Sequence, residues 1–163
     1  MHLLDANTVI SFLKTGHKDA LADLGTALNL CVVEEVKVEI DRRDPPGKRW
    51  WERSRIDVRA IALGSPAHRT LVALGLPSGN GLGERASIAL AAHDPSLSFV
   101  TSDKNAMWIA VRELHGPALR YESFSGFLRY ARAAALPWPV IDDAYRESGL
   151  PQPTWWASWR AVA

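Results

Sequence analysis

Four acidic residues stand where this chain changes from one regular pattern to the next. Asp5 follows the apolar run His2-Leu3-Leu4 directly. Glu39 lies in a helical pattern after the apolar run 28–33, and Glu35 sits one turn earlier on the same face, since residues i and i+4 are neighbours on a helix. Glu84 opens a further helical pattern, and Asp103 follows the strand pattern 97–101. Carboxylates brought to one place repel one another and need a neutralising partner. Hard divalent cations supply it, because Mg²⁺ takes oxygen ligands and binds through a few carboxylates plus phosphate oxygens. Such ions activate a water and stabilise the leaving oxygen of a phosphodiester. No His/Cys pairs stand at zinc-ligand spacing, which speaks against a structural zinc site.

Each acid also has a plainer role open to it. Asp5 can cap a helix starting near Asn7, and Asp103 can cap one starting at Lys104. Glu84 can favour a helix dipole from the first turn, although Gly83 beside it allows close approach of a ligand. Glu39 and Glu35 share one amphipathic neighbourhood. The Thr101 hydroxyl can assist a bound ion or satisfy a backbone group.

The elements that would position these residues follow from periodicity. Strands are predicted at 2–4, 28–33 and 97–101, with a short one at 119–121 and an edge strand at 56–61, where apolar and polar residues alternate. Helices are predicted at 7–13, 19–24 (ending at Gly25), 34–42, 66–74, 83–93, 104–114 and 124–135, with one or two turns at 48–53. Ser78-Gly79-Asn80-Gly81 reads as a flexible link. Short strands alternating with helices predict an α/β fold: a three-layer α/β/α sandwich on a central, mostly parallel sheet. Such sheets place their sites at the carboxyl ends of the strands.

In this setting the chain resembles the PIN-domain nucleases, and among them the VapC-like toxin ribonucleases of bacteria. Leu3-Leu4-Asp5-Ala6-Asn7-Thr8-Val9-Ile10 resembles their opening motif, with Asp5 as the first metal-binding acid and Asn7 as an accompanying polar residue. Val36-Lys37-Val38-Glu39-Ile40 is similar to the second acidic motif, and Leu82-Gly83-Glu84-Arg85-Ala86 to the Gly-Glu helix motif. Phe99-Val100-Thr101-Ser102-Asp103-Lys104 resembles the last one. The motifs keep the family's order and span residues 3–104. The resemblance implies a Mg²⁺- or Mn²⁺-dependent endoribonuclease, with Asp5 and Asp103 on the metal, Glu39 and Glu84 completing the shell, and Glu35, Asn7 and Thr101 in support. It also implies an RNA substrate and, often, the toxin role of a type II toxin–antitoxin pair, with an antitoxin protein as partner. Asn105 stands where some members carry a further acid.

Arg42, Arg43, Lys48, Arg49 and Arg53 surround Trp50 after the second acidic motif. Basic side chains bind phosphates and indole faces stack unpaired bases, which suits RNA. A solvated helix face with buried tryptophans explains the same residues equally well. Residues 137–163 form a Pro- and Trp-rich extension carrying Trp155, Trp156 and Trp159. These indoles either fold back on the core or meet a partner, a second copy of the chain or an antitoxin.

With 163 residues, 47% hydrophobic and 23% charged, the chain is sized for a single domain with a real core. The net charge of +1 gives no bulk attraction for polyanions, so any such attraction has to be local. The lone Cys31 is expected to be inert packing and fits a reducing compartment. The start of the chain lacks a signal-peptide pattern and no apolar run approaches the ~20 residues of a bilayer span, so a cytoplasmic location and no membrane partner are expected. The rival function is a PIN-like module that binds RNA or protein without cutting. A phosphatase of the aspartyl-phosphate type would want an acid two residues after Asp5, where Asn7 stands.

Overall fold

The computed structural model describes residues 1–75, 81–113 and 121–161. Its centre is a five-stranded sheet: β1 (His2–Leu4), β2 (Leu30–Val33), β3 (Asp57–Arg59), β4 (Ser98–Thr101) and β5 (Tyr121–Ser123), in the order β3-β2-β1-β4-β5. Every pairing is parallel, with Leu3 opposite Cys31 on one side and Phe99 on the other. All four residues of β2 are buried. Successive strand residues point to opposite faces, so the sheet is covered on both, as parallel sheets require.

The helices are α1 (Ala6–Lys14), α2 (Lys18–Leu28), α3 (Glu34–Arg43), α4 (Lys48–Ser54), α5 (Pro66–Ala73), α6 (Leu82–His93), α7 (Lys104–Glu113), α8 (Phe124–Ala133), α9 (Trp138–Glu147) and α10 (Trp156–Ala161). α6 packs on β1, β2 and β4 and against α3, α5 and α7, while α1, α2, α8 and α9 pack on one another and reach β2 and β4. This is the three-layer α/β/α arrangement expected. No helix among the described residues is long and apolar enough to cross a membrane.

Three differences from the expected elements have local causes. α2 runs through Gly25 instead of stopping there. A Cβ at Gly25 would run into the Ser54 carbonyl oxygen, so the glycine is there to let α4 approach, and the helix ends at Asn29 in the left-handed region (φ 51°). β2 accordingly starts at Leu30. The Pro- and Trp-rich extension, to which no helix is assigned from the sequence, contains α9; Pro139 lies in its first turn, where the missing N–H costs nothing. The link at 78–80 and residues 119–120 of the expected short strand lie outside the described residues.

Cys31 is buried, and burial pushes its thiol up to about 12, so it is packing. In the C-terminal segment Trp156 is buried. Its ring stacks 4.3 Å from Tyr145, whose own ring stacks on Phe124. This part of the tail therefore folds back on the core. The Trp159 side chain lies outside the described residues.

Candidate active site

The strand order fixes where a site belongs. From β1 the chain moves outward on one side through β2 and β3, then returns to the other side of β1 with β4 and β5. Parallel sheets bind ligands at the carboxyl ends of the strands, at this switch point. Here it falls between β1 and β4, the strands followed by Asp5 and Asp103.

Asp5 is pinned there. Its backbone N–H donates to Val100 O at 3.0 Å, tying the end of β1 to β4. The carboxylate is buried (1% exposed). Its Oδ1 accepts from the Thr8 N–H at 2.7 Å, which caps α1, and its Oδ2 accepts from the Thr101 hydroxyl at 2.5 Å. Burial raises the Asp5 pKa, and the hydrogen bonds from Thr101 and Thr8 oppose that rise. Thr101 Oγ1 in turn accepts from the Asp103 N–H at 3.0 Å. Thr101 thus serves a carboxylate and a backbone group at once, and links the two aspartates.

Asp103 Oδ1 accepts from the N–H groups of Asn105 and Ala106, at 2.6 and 3.2 Å, and so caps α7. Asn105 itself is exposed. On the other side of the rim α3 and α6 pack closely. A Cβ at Gly83 would stand 2.8 Å from Val36 Cγ2 and 3.4 Å from Glu39 Oε2, so this glycine permits the contact that sets Glu39 beside Glu84. Glu84 is pushed up to about 7, first by burial, then by the negative charges of Asp103, Asp5 and Glu39, with Arg85 opposing. The four acids chosen from the sequence therefore share one electrostatic environment. Glu35 is half-buried one turn before Glu39, with its Oε2 buried and without a hydrogen-bond partner among the described residues.

Arg43 also belongs to this rim. Its Nη1 donates to Asn7 Oδ1 at 3.0 Å and to Glu39 Oε1 at 2.8 Å, joining α1 to α3. Beside it opens a cleft of about 260 Å³, lined by Asn7, Lys14, Arg43, Asp103 and Glu147 among others. Sequence reasoning missed Lys14, Ser11 and Glu147 as lining. Asn7, Ser11 and Lys14 recur at i, i+4 and i+7, a signal of one helix face. Glu147 gave no local signal, because only tertiary packing of α9 on α1 brings it there.

In the basic segment after α3 the tryptophans belong to the core. Trp50 and Trp51 are buried, with rings 5.0 Å apart in an edge-to-face pair. Their indole N–H groups donate to Lys18 O and Asp41 Oδ1, both at 2.8 Å. A buried indole offers no face to a base, so of the two readings open for Trp50 the buried one holds. Arg53 pairs with Asp19 and Lys48 with Glu52. Arg42 and Arg49 are exposed.

The donor set is of the chemical type that a hard divalent ion takes. It is oxygen only, and Asp103 Oδ2, Glu39 Oε2 and both oxygens of Glu84 accept no hydrogen bond among the described residues. As the side chains lie, no three His, Cys, Asp or Glu groups among the described residues stand close enough to hold an ion. No family model, curated protein or solved structure matches the chain.

Proposed function

We propose that this protein is a metal-dependent endoribonuclease of the PIN-domain type, hydrolysing RNA phosphodiester bonds with Asp5, Glu39, Glu84 and Asp103 around Mg²⁺ or Mn²⁺. The observation that carries the reading is the sharing of one environment by four acids from separate elements, at the switch point of a parallel sheet, where the charges of the other three add to the burial that lifts Glu84 to about 7. Carboxyls perturbed by burial and by like charges mark candidate sites. A divalent ion, when bound, would offset the repulsion and stabilise charge on the phosphate oxygens.

The residues divide the remaining work. Asp5, with both oxygens held by Thr8 and Thr101, is an orientation anchor with little freedom to move. Asp103 and Glu39 each keep one oxygen without a hydrogen bond among the described residues, their other oxygen being fixed by the α7 cap and by Arg43. Glu84, lifted in the ion-free protein by burial and by the three neighbouring acids, would complete the metal shell directly or through water.

One observation favours a second reading, a PIN-like module that binds RNA or protein without cutting: the side chains do not stand in a closed ligand set. Cleavage decides between the two. The full chain is expected to cut single-stranded RNA with Mn²⁺ and to stop when EDTA is added. Asp103→Asn keeps the oxygen that caps α7, so it should fold, and should cut at least about a hundredfold more slowly. RNA binding with no Mn²⁺-dependent cleavage would leave the non-cutting module.

A further inference from the structure

The cleft beside the acids has a wall that hydrolysis itself does not use. Asn7 and Asp103 belong to both the rim and the cleft, so the two are continuous. Beyond them the cleft runs along α1 to Lys14, roughly 10 Å from Asn7 at the helical rise per residue. There α9 closes it with Glu147, whose Oε1 lies 3.1 Å from Lys14 Nζ.

A polyanion approaching four carboxylates is repelled unless fixed positive charge lies beside them. The chain's net charge supplies no general attraction. The cleft places two cations, Arg43 and Lys14, beside the acids Asp103 and Glu147, and these two cations are not equivalent. Arg43 is held by Asn7 and by the acid Glu39. Among the described residues Lys14 is held by Glu147 alone, in a pair with side chains 52% and 36% exposed. Exposed pairs of this kind are weak and exchange readily, whereas a phosphate offers charge-assisted hydrogen bonds to an ammonium. Lys14 also sits in the last turn of α1, where the helix end favours a cation whether or not Glu147 is engaged.

We propose that this cleft is a groove for single-stranded RNA: Lys14 holds a backbone phosphate next to the one to be cut, and Glu147 is the competitor that phosphate displaces. Placing the cut phosphate at the acids rests on the nuclease reading; the groove can be tested without it. The experiment uses the full chain without divalent ions and follows the fluorescence anisotropy of a short labelled oligouridylate. Lys14→Gln is expected to weaken binding about tenfold and to flatten the dependence of log Kd on log salt by about 0.7, the loss of one single-strand phosphate contact. Glu147→Gln, which removes the competitor, is expected to tighten binding about threefold. Arg69→Gln, an exposed cation on α5 bonded to the Gly64 carbonyl, should leave the salt slope unchanged. Opposite signs at Lys14 and Glu147 distinguish a groove from a general loss of fold, and a melting curve for each variant checks the latter. Unchanged affinity in both variants overturns the groove even if the chain cuts RNA, as does failure of the parent chain to bind oligouridylate at low salt. The expected responses in a chain that never cuts with Mn²⁺ keep the groove and remove the nuclease reading.

Discussion

Two aspartates are buried in this protein, and their surroundings are opposite. Asp142, 6% exposed on α9, accepts from the Trp156 indole N–H at 3.2 Å and pairs with Arg146, one turn along the same helix, at 2.7 Å. Asp5, 1% exposed, accepts from a backbone N–H and a hydroxyl, has no ion pair among the described residues, and shares its surroundings with three other acids. A buried charge that meets its cation on its own helix helps the fold to hold together. A buried charge held by neutral donors beside like charges is a standing cost to the fold. Such costs concentrate at sites kept for a ligand rather than for stability. The contrast separates a structural carboxylate from a functional one without reference to sequence motifs.

The same substitution at both positions should give opposite results. Asp5→Asn is expected to lower Mn²⁺-dependent turnover at least about a hundredfold, the largest effect anticipated. At neutral pH it should also raise the stability of the ion-free protein by about 1 kcal/mol, because it removes a buried charge that lacks a cation while keeping the shape of the side chain. Asp142→Asn should do the reverse. Stability should fall by about 1–2 kcal/mol as Arg146 loses its partner and the Trp156 contact weakens, with turnover per folded molecule unchanged. Urea denaturation together with an RNA-cleavage assay reads both. Stability changes of one sign at the two positions would dissolve the distinction.

The contrast also explains what could be read in the sequence. The layers, the parallel sheet and the four acids were legible because each depends on local pattern: an apolar run, then an acid, then helical spacing. Asp5 and Asp103 could be placed at strand ends for that reason. Asp142 was not singled out, since its burial depends on Trp156, 14 residues later, folding back onto α9. Trp50 could not be assigned for the same reason. Alternation of basic and aromatic residues fits a solvated stacking face and a buried face alike, and only the packing of α2 on α4, with the Lys18 carbonyl waiting for the indole N–H, decides it. Arg43 was read as a substrate contact, and its bonds to Asn7 and Glu39 connect two elements far apart in sequence.

The closeness of α3 and α6 is the next point at which to press. Gly→Ala inside a helix usually gains up to about 1 kcal/mol from propensity. At Gly83 the new Cβ would meet Val36 Cγ2 at 2.8 Å and Val36 Cα at 3.3 Å, and Val36 is fully buried with no room to turn. Overpacking of this kind costs about 1–3 kcal/mol, so the contact should win, with a net loss of about 1 kcal/mol. Turnover should fall with it, because the shift parts Glu39 from Glu84. A stabilised Gly83→Ala variant with full turnover would mean that the two acids need not be close.

The smallest expected effect concerns pH. Glu84 titrates near 7 in the folded chain, against an ordinary value of 4.5. Between those values the folded protein holds a proton that the unfolded chain has lost, so unfolding releases it, and stability falls as pH rises through this window. What Glu84 contributes is present in full below about 4.5 and gone above about 7. Solvent reaches this carboxyl, so the effect is screened to about 1 kcal/mol. Glu84→Gln should remove that part of the slope from urea midpoints measured without divalent ions, and should leave the variant more stable than the parent at neutral pH. In the parent, apparent Mn²⁺ affinity should climb across the same window, as ligand carboxyls must be deprotonated. A pH slope that survives in Glu84→Gln would mean that this carboxyl does not feel Asp5, Glu39 and Asp103. The rim would then be no more strained than the paired site at Asp142.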